Sequence, residues 1–487
     1  MSTASTAEMI ARMVTGTRDT LDVVVLGAGP AGVIAALRAA RLGANTALLS
    51  DGAFGGMAAN DGPVPVRTLA HAARLMREAQ QMPDYGVPTA GGGVDYLKLL
   101  ARVQDVTAAV RRGSLLRTEL EAAGVSVREH SGAARFVDGG TIEHDGGRLR
   151  AGKVIVCTGG APRRPSIPGI ELTATHSDAW ALREVPESMV VLGTGATGVQ
   201  VASIFNALGC RVTLVDAGPR ILKGEDVAVS HGVRAGFEAS GVQVAVDAGR
   251  VERFEACPAG VRMVHAGNAF AAAVIVVAAG WVANTRGTAL EHAGVALDER
   301  GFIRVDAHLR TTAPGVWAAG DVTGRGMVVH EAVRQGVLAA TNAVLDADAV
   351  LPEQVSPTGS FTDPEYASVG LTEERARRAH DVLVATVPFD SVPRPIIDGR
   401  PAGFCKLIVD RVHRRILGCH IVGERAVELA QVAATAIAGE LTVEQLARVP
   451  FSFPTYANAL GRAAITAAAE LDGSHMWAVD LLHPEIA

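Results

Sequence analysis

The chain has 487 residues, of which 48% are hydrophobic and 20% charged, enough for two or three domains with buried cores. Its 45 Lys and Arg against 51 Asp and Glu leave a formal net charge of −6, which disfavours a dedicated nucleic-acid binder, since phosphate neutralisation needs concentrated basic side chains. Composition also excludes collagen-like, disordered and disulfide-scaffold classes, and Cys157, Cys210, Cys257, Cys405 and Cys419 form no CxxC pair or other metal-type spacing, as expected of thiols in a reducing cytoplasm.

Residues 1–20 carry no apolar core of a secretory signal and read as a flexible extension. The first strong pattern runs from Leu21 to Asp51, LDVVVLGAGPAGVIAALRAARLGANTALLSD: strand, Gly-rich turn, Ala-rich helix, strand. Its GxGxxG is Gly27, Gly29 and Gly32. The first glycine permits the sharp turn, the second lets the backbone approach a pyrophosphate, and the third lets the helix pack close to the strand. The helix N-terminus then offers free N–H groups to the phosphates. A ribose-holding acid is expected about 20 residues on; Ser50 ends the strand instead, with Asp51 beside it.

Val154 to Ile170 reads as a strand followed by a Pro-rich crossover, with Arg163 and Arg164 solvated there. From Met189 to Asp216, MVVLGTGATGVQVASIFNALGCRVTLVD repeats the βαβ pattern, with Gly193, Gly195 and Gly198 and the terminal acid Asp216. One GxGxxG is a weak signal; two complete units in one chain are a strong one. They imply two dinucleotides, as in a flavin enzyme that exchanges electrons with a nicotinamide, with FAD in one domain and NAD(P) in the other. Asp216 would accept from a ribose diol and repel a 2′-phosphate, favouring NAD; Arg220 would partly offset it, so NADP stays open. Phe270 to Val282 is too short for a bilayer, which needs about 20 apolar residues, and reads as one buried strand; no membrane span and a cytoplasmic location follow. TTAPGVWAAGD is a turn, a short apolar strand and then Gly320–Asp321. After about Pro357 the texture becomes α+β: FCKLIVD and RILGCHIVG are strands, and VELAQVAATAIAGELTVEQLA is helical.

These segments, with CTGGAPRRPSIPG, VVAAGWVANT, MVVHEAV and FTDPEYASVGLTEE, make a chain that resembles the flavoprotein disulfide reductase family from about Leu21 to Ala469. The resemblance implies an α/β fold of two Rossmann-like dinucleotide-binding domains plus an α+β C-terminal dimerisation domain. Its boundaries would be 21–160 and 285–355 for the two parts of the FAD domain, 161–284 for the NAD(P) domain and 356–487 for dimerisation. A homodimer would complete each active site with the other copy's C-terminal domain. For FAD the resemblance implies Gly27, Gly29 and Gly32 at the pyrophosphate and Ser50 and Asp51 at the strand end. Gly55, Gly56, Met57 and Arg67 would follow, with Gly132 near the adenine and Thr158, Gly159 and Gly160 lining the domain. Gly320 and Asp321 would meet the linker between ring and phosphate. Met327, Val328, Val329 and His330 would start a helix whose N-terminus faces the flavin's pyrimidine edge, where reduced flavin carries negative charge. For NAD(P) it implies Gly193, Gly195, Ala196, Thr197, Gly198, Gln200, Asp216, Val251 and Gly280. No metal site is expected.

Three departures bear on function. The family's redox disulfide sits in GGTCxNxGCxPSK; here the run is GGMAANDGPVPVR, with Ala58 and Pro63 at the cysteine positions and Gly55, Gly56, Asn60, Gly62 and Pro65 fixing the alignment. No thiol can attack a substrate there. The family's C-terminal His-Pro-Thr-x-x-Glu is FPTYAN, so Phe453 and Asn458 replace the proton-carrying pair. A Lys–Glu pair near flavin N5 becomes Arg67 and Gln200, at most a hydrogen bond, and Ala196 stands where some members have an aromatic gate. Loss of thiols and relay together is coherent, and the soluble transhydrogenase lineage also lacks this His.

The expected function is an FAD-dependent NAD(P)H dehydrogenase of diaphorase or quinone-reductase type, passing electrons directly to a small acceptor. Arg67, Gln200 and Tyr456 are its candidate catalytic residues, and Ala58, Pro63, Phe453, Tyr456 and Asn458 its apolar substrate pocket. The alternatives are a reductase or dehydrogenase of a specific metabolite, a transhydrogenase, or a redox-inert flavoprotein. His71 reads as a partly exposed helix residue, and His475 and His483 as tail residues.

Overall fold

The computed structural model describes residues 21–88, 93–351 and 355–473; residues 1–20, His475 and His483 lie outside the described residues. The chain divides into two compact units, one of residues 1–64, 107–161 and 282–352, the other of 65–106, 162–281 and 353–487. This differs from the boundaries expected above. Residues 65–106 belong with the second unit, because Leu69, Ala70, Tyr96 and Leu99 join the hydrophobic cluster built on Val191, Val199, Phe205 and Leu214. The NAD(P)-type and C-terminal parts share that unit.

The first unit is built on a parallel sheet. Leu21–Leu26 lies between Thr46–Leu49 and Gly147–Val156, with Ser126–Arg128 beyond the one and Val316–Ala318 beyond the other. Val23, Val24, Val25 and Leu26 are all buried, as both faces of a doubly wound sheet require. The helix Pro30–Arg41 crosses from the first strand to the second, and the long helix Val329–Leu345 packs on it so closely that a side chain at Gly336 would strike the Ala31 carbonyl.

In the second unit, Ser188–Leu192 pairs in parallel with Arg211–Val215 and Val274–Val277, and Gln243–Ala245 extends the sheet. The helix Ala196–Ala207 makes the crossover. The single strand expected at Phe270–Val282 is instead the end of Asn268–Ala272, then Val274–Val277, then the start of Trp281–Ala283. The first piece pairs antiparallel with Gly260–His265 in a small separate sheet, and Gly280, at a φ of +100°, turns the chain after the second. Apolar content alone cannot show such breaks.

The C-terminal part holds a five-stranded antiparallel sheet in the order 358–360, 366–370, 416–422, 404–410, 382–388. Ala426–Ala438 and Asn458–Leu471 pack on it through Ala430, Ala433, Ala463 and Ala467. The helical stretch expected from Val427 to Ala447 is two helices: the first stops at Ala438, and Thr442 and Gln445 form a capping box that starts the second at Val443. No helix among the described residues is long and apolar enough to cross a membrane.

Candidate active site

The two glycine turns are near copies. Gly27 has a φ of +106° and Gly193 one of +105°, and a side chain on either would collide with the carbonyl of Cys157 or Ala278 on the neighbouring strand. Gly32 and Gly198 each sit against the carbonyl of the first glycine of their own motif. The middle glycines are different. At Gly29 and Gly195 nothing lies within 4 Å of where a Cβ would stand, and both have ordinary extended backbone. Each is the N-cap of its helix, with no side chain capping it. Each helix therefore opens onto free space with its positive end and its unpaired amides, the setting a pyrophosphate needs.

Around the first turn, the segment Gly55–Asn60 folds over the glycines. Gly55 donates to the Ala28 carbonyl at 2.9 Å, and a Cβ on Gly56 would stand 2.7 Å from Gly29 Cα. Asn60 pins the segment by donating to the carbonyls of Gly56 and Phe54 at 2.8 and 3.1 Å. Met57 and Ala58 lie in this short helix, partly buried, and Pro63 is exposed. The Ser50 carbonyl accepts from the amide and the hydroxyl of Ser131, which sets Gly132 beside the Asp145 carboxylate. A carboxylate that sequence reading did not single out lies just past the end of the next strand. Glu129 accepts from the Phe54 amide at 2.7 Å and pairs with Arg117, and these bonds hold its carboxyl below the usual range against the opposing effect of burial. Sequence reading missed Glu129 because it looked for the acid on one strand only.

Two polar groups of this unit await a partner. The Thr158 hydroxyl is buried and bonded to nothing. The Asp321 carboxyl is mostly buried without a cation, so burial pushes it above the ordinary carboxylate range. Gln335, buried and unforeseen from sequence, fixes the Asp321 turn by accepting from the Gly320 amide at 2.8 Å and donating to the Arg325 carbonyl at 2.8 Å. Asn284 donates to the Thr158 carbonyl at 3.2 Å, and its amide to that of Gly159, which leads into Gly160. The late helix begins at Val329, two residues after Met327; Val328 is its extended N-cap with no side-chain bond, and His330 is exposed. Open glycine turn, orphaned hydroxyl and desolvated carboxyl are what a flavin dinucleotide, with its pyrophosphate and its polyhydroxyl linker, would satisfy.

In the second unit Asp216 accepts from the amide and hydroxyl of Thr194 at 2.9 and 2.7 Å, and from the Gly218 amide at 2.7 Å. Its carboxylate thus shapes the glycine turn. The Arg220 guanidinium is spent on the carbonyls of Leu222, Lys223 and Glu225, closing its own loop. Ala196 is exposed beside Thr197, whose hydroxyl accepts from Trp281 Nε1 at 3.4 Å. Val251 opens the small antiparallel sheet opposite His265.

Three expectations are corrected. Arg67 and Gln200 do not bond each other. Gln200 accepts from Ser360 and the Phe361 amide at 2.9 Å each and donates to the Phe361 carbonyl at 3.1 Å, while Arg67 lies over the Phe361 ring, 3.3 Å from its centroid. Tyr456 is not free to line a pocket. It packs on Phe389 in the C-terminal core and donates to Asp398 at 3.1 Å; burial and that carboxylate raise its pKa far above a phenol's. Asn458 accepts from the Thr455 amide at 2.9 Å, closing its local turn. Of this run only Phe453 stands out into solvent, 74% exposed.

All five cysteines are free thiols. Cys157 is buried against the first glycine turn, and burial pushes its thiol up to about 12, so it is no substitute nucleophile. Cys405 and Cys419 approach to 3.9 Å inside the C-terminal core.

Two glycine turns open to phosphate, on two parallel sheets, define a protein built to bind two dinucleotides. The chain belongs to the pyridine nucleotide-disulphide oxidoreductase family, whose model matches residues 21–336 and whose dimerisation domain matches residues 356–464. It is 30% identical over 459 residues to a mercuric reductase of Lysinibacillus sphaericus, covering 92% of this chain and 83% of that one. It is 33% identical over 457 residues to a dihydrolipoyl dehydrogenase of Mycobacterium tuberculosis, covering 90% and 96%. Among solved structures, the HOCl-induced flavoprotein disulfide reductase RclA of Escherichia coli superposes with a TM-score of 0.81 at 26% identity, covering 91% of this chain and 98% of that one. LpdA of M. tuberculosis gives 0.81 at 27%, covering 91% and 99%.

Proposed function

We propose that this member is a disulfide-free NADH dehydrogenase that passes electrons to a small, flat, weakly polar acceptor such as a quinone. What supports the reading is an otherwise furnished site in which Ala58 and Pro63 stand where the resemblance would put the family's cysteines, beside an open glycine turn, an orphaned Thr158 hydroxyl and a desolvated Asp321 carboxyl. When bound, FAD would supply two-electron transfer from the nicotinamide to the acceptor, the net reaction being NADH, a proton and a quinone giving NAD+ and a hydroquinone.

The chain's own residues do the rest. The amides at the heads of Pro30–Arg41 and Ala196–Ala207 hold the two pyrophosphates, and Thr158 and Asp321 hold polar groups of the flavin. Gln200 fixes the Phe361 backbone, on whose ring Arg67 is laid. Ala58, Pro63 and the Phe453 of a second copy give the acceptor apolar walls and no thiol. Protons come from water, since the Tyr456 hydroxyl is bound to Asp398 and hard to ionise. Asp216, with Arg220 tied to its loop, favours NADH over NADPH.

The test is to purify the protein, confirm a flavin spectrum, bleach it anaerobically with NADH or NADPH, and then offer acceptors. Benzoquinone-type acceptors should restore the colour and turn over; lipoamide and oxidised glutathione should not. Turnover with either disulfide sinks the proposal, and bound FAD that neither nucleotide bleaches would favour a redox-inert flavoprotein.

A further inference from the structure

The long helix Pro63–Gln81 carries Arg67, Arg74 and Arg77 at spacings of seven and three, which puts all three on one face. That face lines a cavity of about 570 Å³ inside the second unit, walled on other sides by Arg400, by the loop Phe361–Glu365 and by the far end of the helix Ala196–Ala207. The volume falls in the range of small-molecule sites, about 300–1,000 Å³. It lies at the other end of that helix from Gly195 and Ala196.

The walls hold more cationic donors than their carboxylates can use. Arg77 bridges Asp363 at 2.7 Å and Glu424 at 3.3 Å; Arg400 pairs with Asp363 and reaches Glu424 at 3.8 Å; Arg74 pairs with Glu78 at 2.8 Å and with Glu424. Glu424 is buried among them, yet its Oε1 accepts no well-aligned hydrogen bond, so the cluster is drawn together by charge more than by fitted geometry. Arg67 is laid on the Phe361 ring and makes no hydrogen bond or ion pair among the described residues. Four guanidinium groups bring about twenty N–H donors, against about sixteen lone-pair positions on Asp363, Glu365, Glu424 and Glu78. Burial and the neighbouring Glu424 push the Glu365 carboxyl upward, against the pull of Arg67 and Arg74.

We infer that this cavity binds a small organic molecule bearing two or more carboxylate or phosphate groups, held by Arg67, Arg74, Arg77 and Arg400. Planar guanidinium forks match either oxyanion through paired bonds, and a chamber of this size holds more than a single inorganic ion. The site is separate from both dinucleotide turns and stands whether or not the acceptor is a quinone.

The experiment titrates the FAD-loaded protein with citrate and with glucose 6-phosphate at constant ionic strength, by calorimetry, with sodium chloride as the control. Arg400→Gln removes a donor; Ala207→Trp fills the chamber and leaves every charge in place. Saturable binding of either ligand, weakened at least about tenfold by both variants while NADH still bleaches the flavin, supports the site, and the tighter ligand tells carboxylate from phosphate ester. Chloride acting equally, binding untouched by the variants, competition by NADH, or no saturable binding of either probe overturns it.

Discussion

The three glycines of the first turn make separable demands, and alanine at Gly27 and at Gly29 should part them. Gly27→Ala forces an L residue to a φ of +106° and drives its methyl into the Cys157 carbonyl. Backbone strain of this kind costs about 1–3 kcal/mol and overpacking about 1–3 kcal/mol more, so the apoprotein itself should lose about 2–6 kcal/mol. Gly29→Ala meets nothing within 4 Å and keeps a φ of −77°, so apoprotein stability should hold within about 0.5 kcal/mol. Its methyl instead enters the space a pyrophosphate would fill, displacing at least one charge-assisted hydrogen bond worth about 1.5–3 kcal/mol, or about a 10- to 150-fold loss of FAD affinity. The assay is flavin-to-protein absorbance after dialysis, with urea unfolding of the apoproteins beside it. Full FAD retention in Gly29→Ala, or apoprotein instability equal to that of Gly27→Ala, would refute the assignment of this turn to FAD.

Other consequences are as direct. Thr158→Ala removes a hydroxyl with no partner among the described residues, so the apoprotein should unfold at an unchanged urea midpoint while FAD dissociates faster. Arg220→Ala should lower thermal stability by opening its loop and leave the NADH-to-NADPH ratio of kcat/KM within about threefold; a large swing in that ratio would show the guanidinium reading the ribose after all. Ala58→Cys with Pro63→Cys should not confer lipoamide or glutathione reduction, because Phe453 and Asn458 leave the thiols without a proton relay; activity with either substrate would be the contrary result. Asp410 accepts from the amides of Val412 and His413 and from the His380 imidazole, and these bonds outweigh burial and hold its folded pKa well below the usual value. A depressed carboxyl stabilises the fold fully above the unfolded pKa of about 4 and loses that contribution as pH falls toward the folded value. Asp410→Asn should therefore lower the melting temperature at pH 7 and flatten its decline below about pH 4; parallel curves would remove Asp410 from the acid transition.

What the sequence made legible was whatever local backbone geometry dictates. The glycine turns had to be glycine for reasons of φ and contact that hold within a dozen residues, and strand, turn and helix followed from them. Partners brought together by the sheet were not legible, because nothing in a one-dimensional pattern says which neighbouring strand end or distant helix supplies a group. Glu129 holds the Phe54 amide from one strand over, and Gln335 braces Asp321 from within the late helix. The same limit explains the reversals. Arg67, Gln200, Arg220 and Tyr456 were read by side-chain type alone, as cation, donor or acid. Each turned out to have found a nearer partner: an aromatic ring, a backbone strand, three carbonyls, a carboxylate. A side chain's chemistry is therefore assignable only after its competing bonds are known, and a group left without any, such as the Thr158 hydroxyl, points most directly to a ligand.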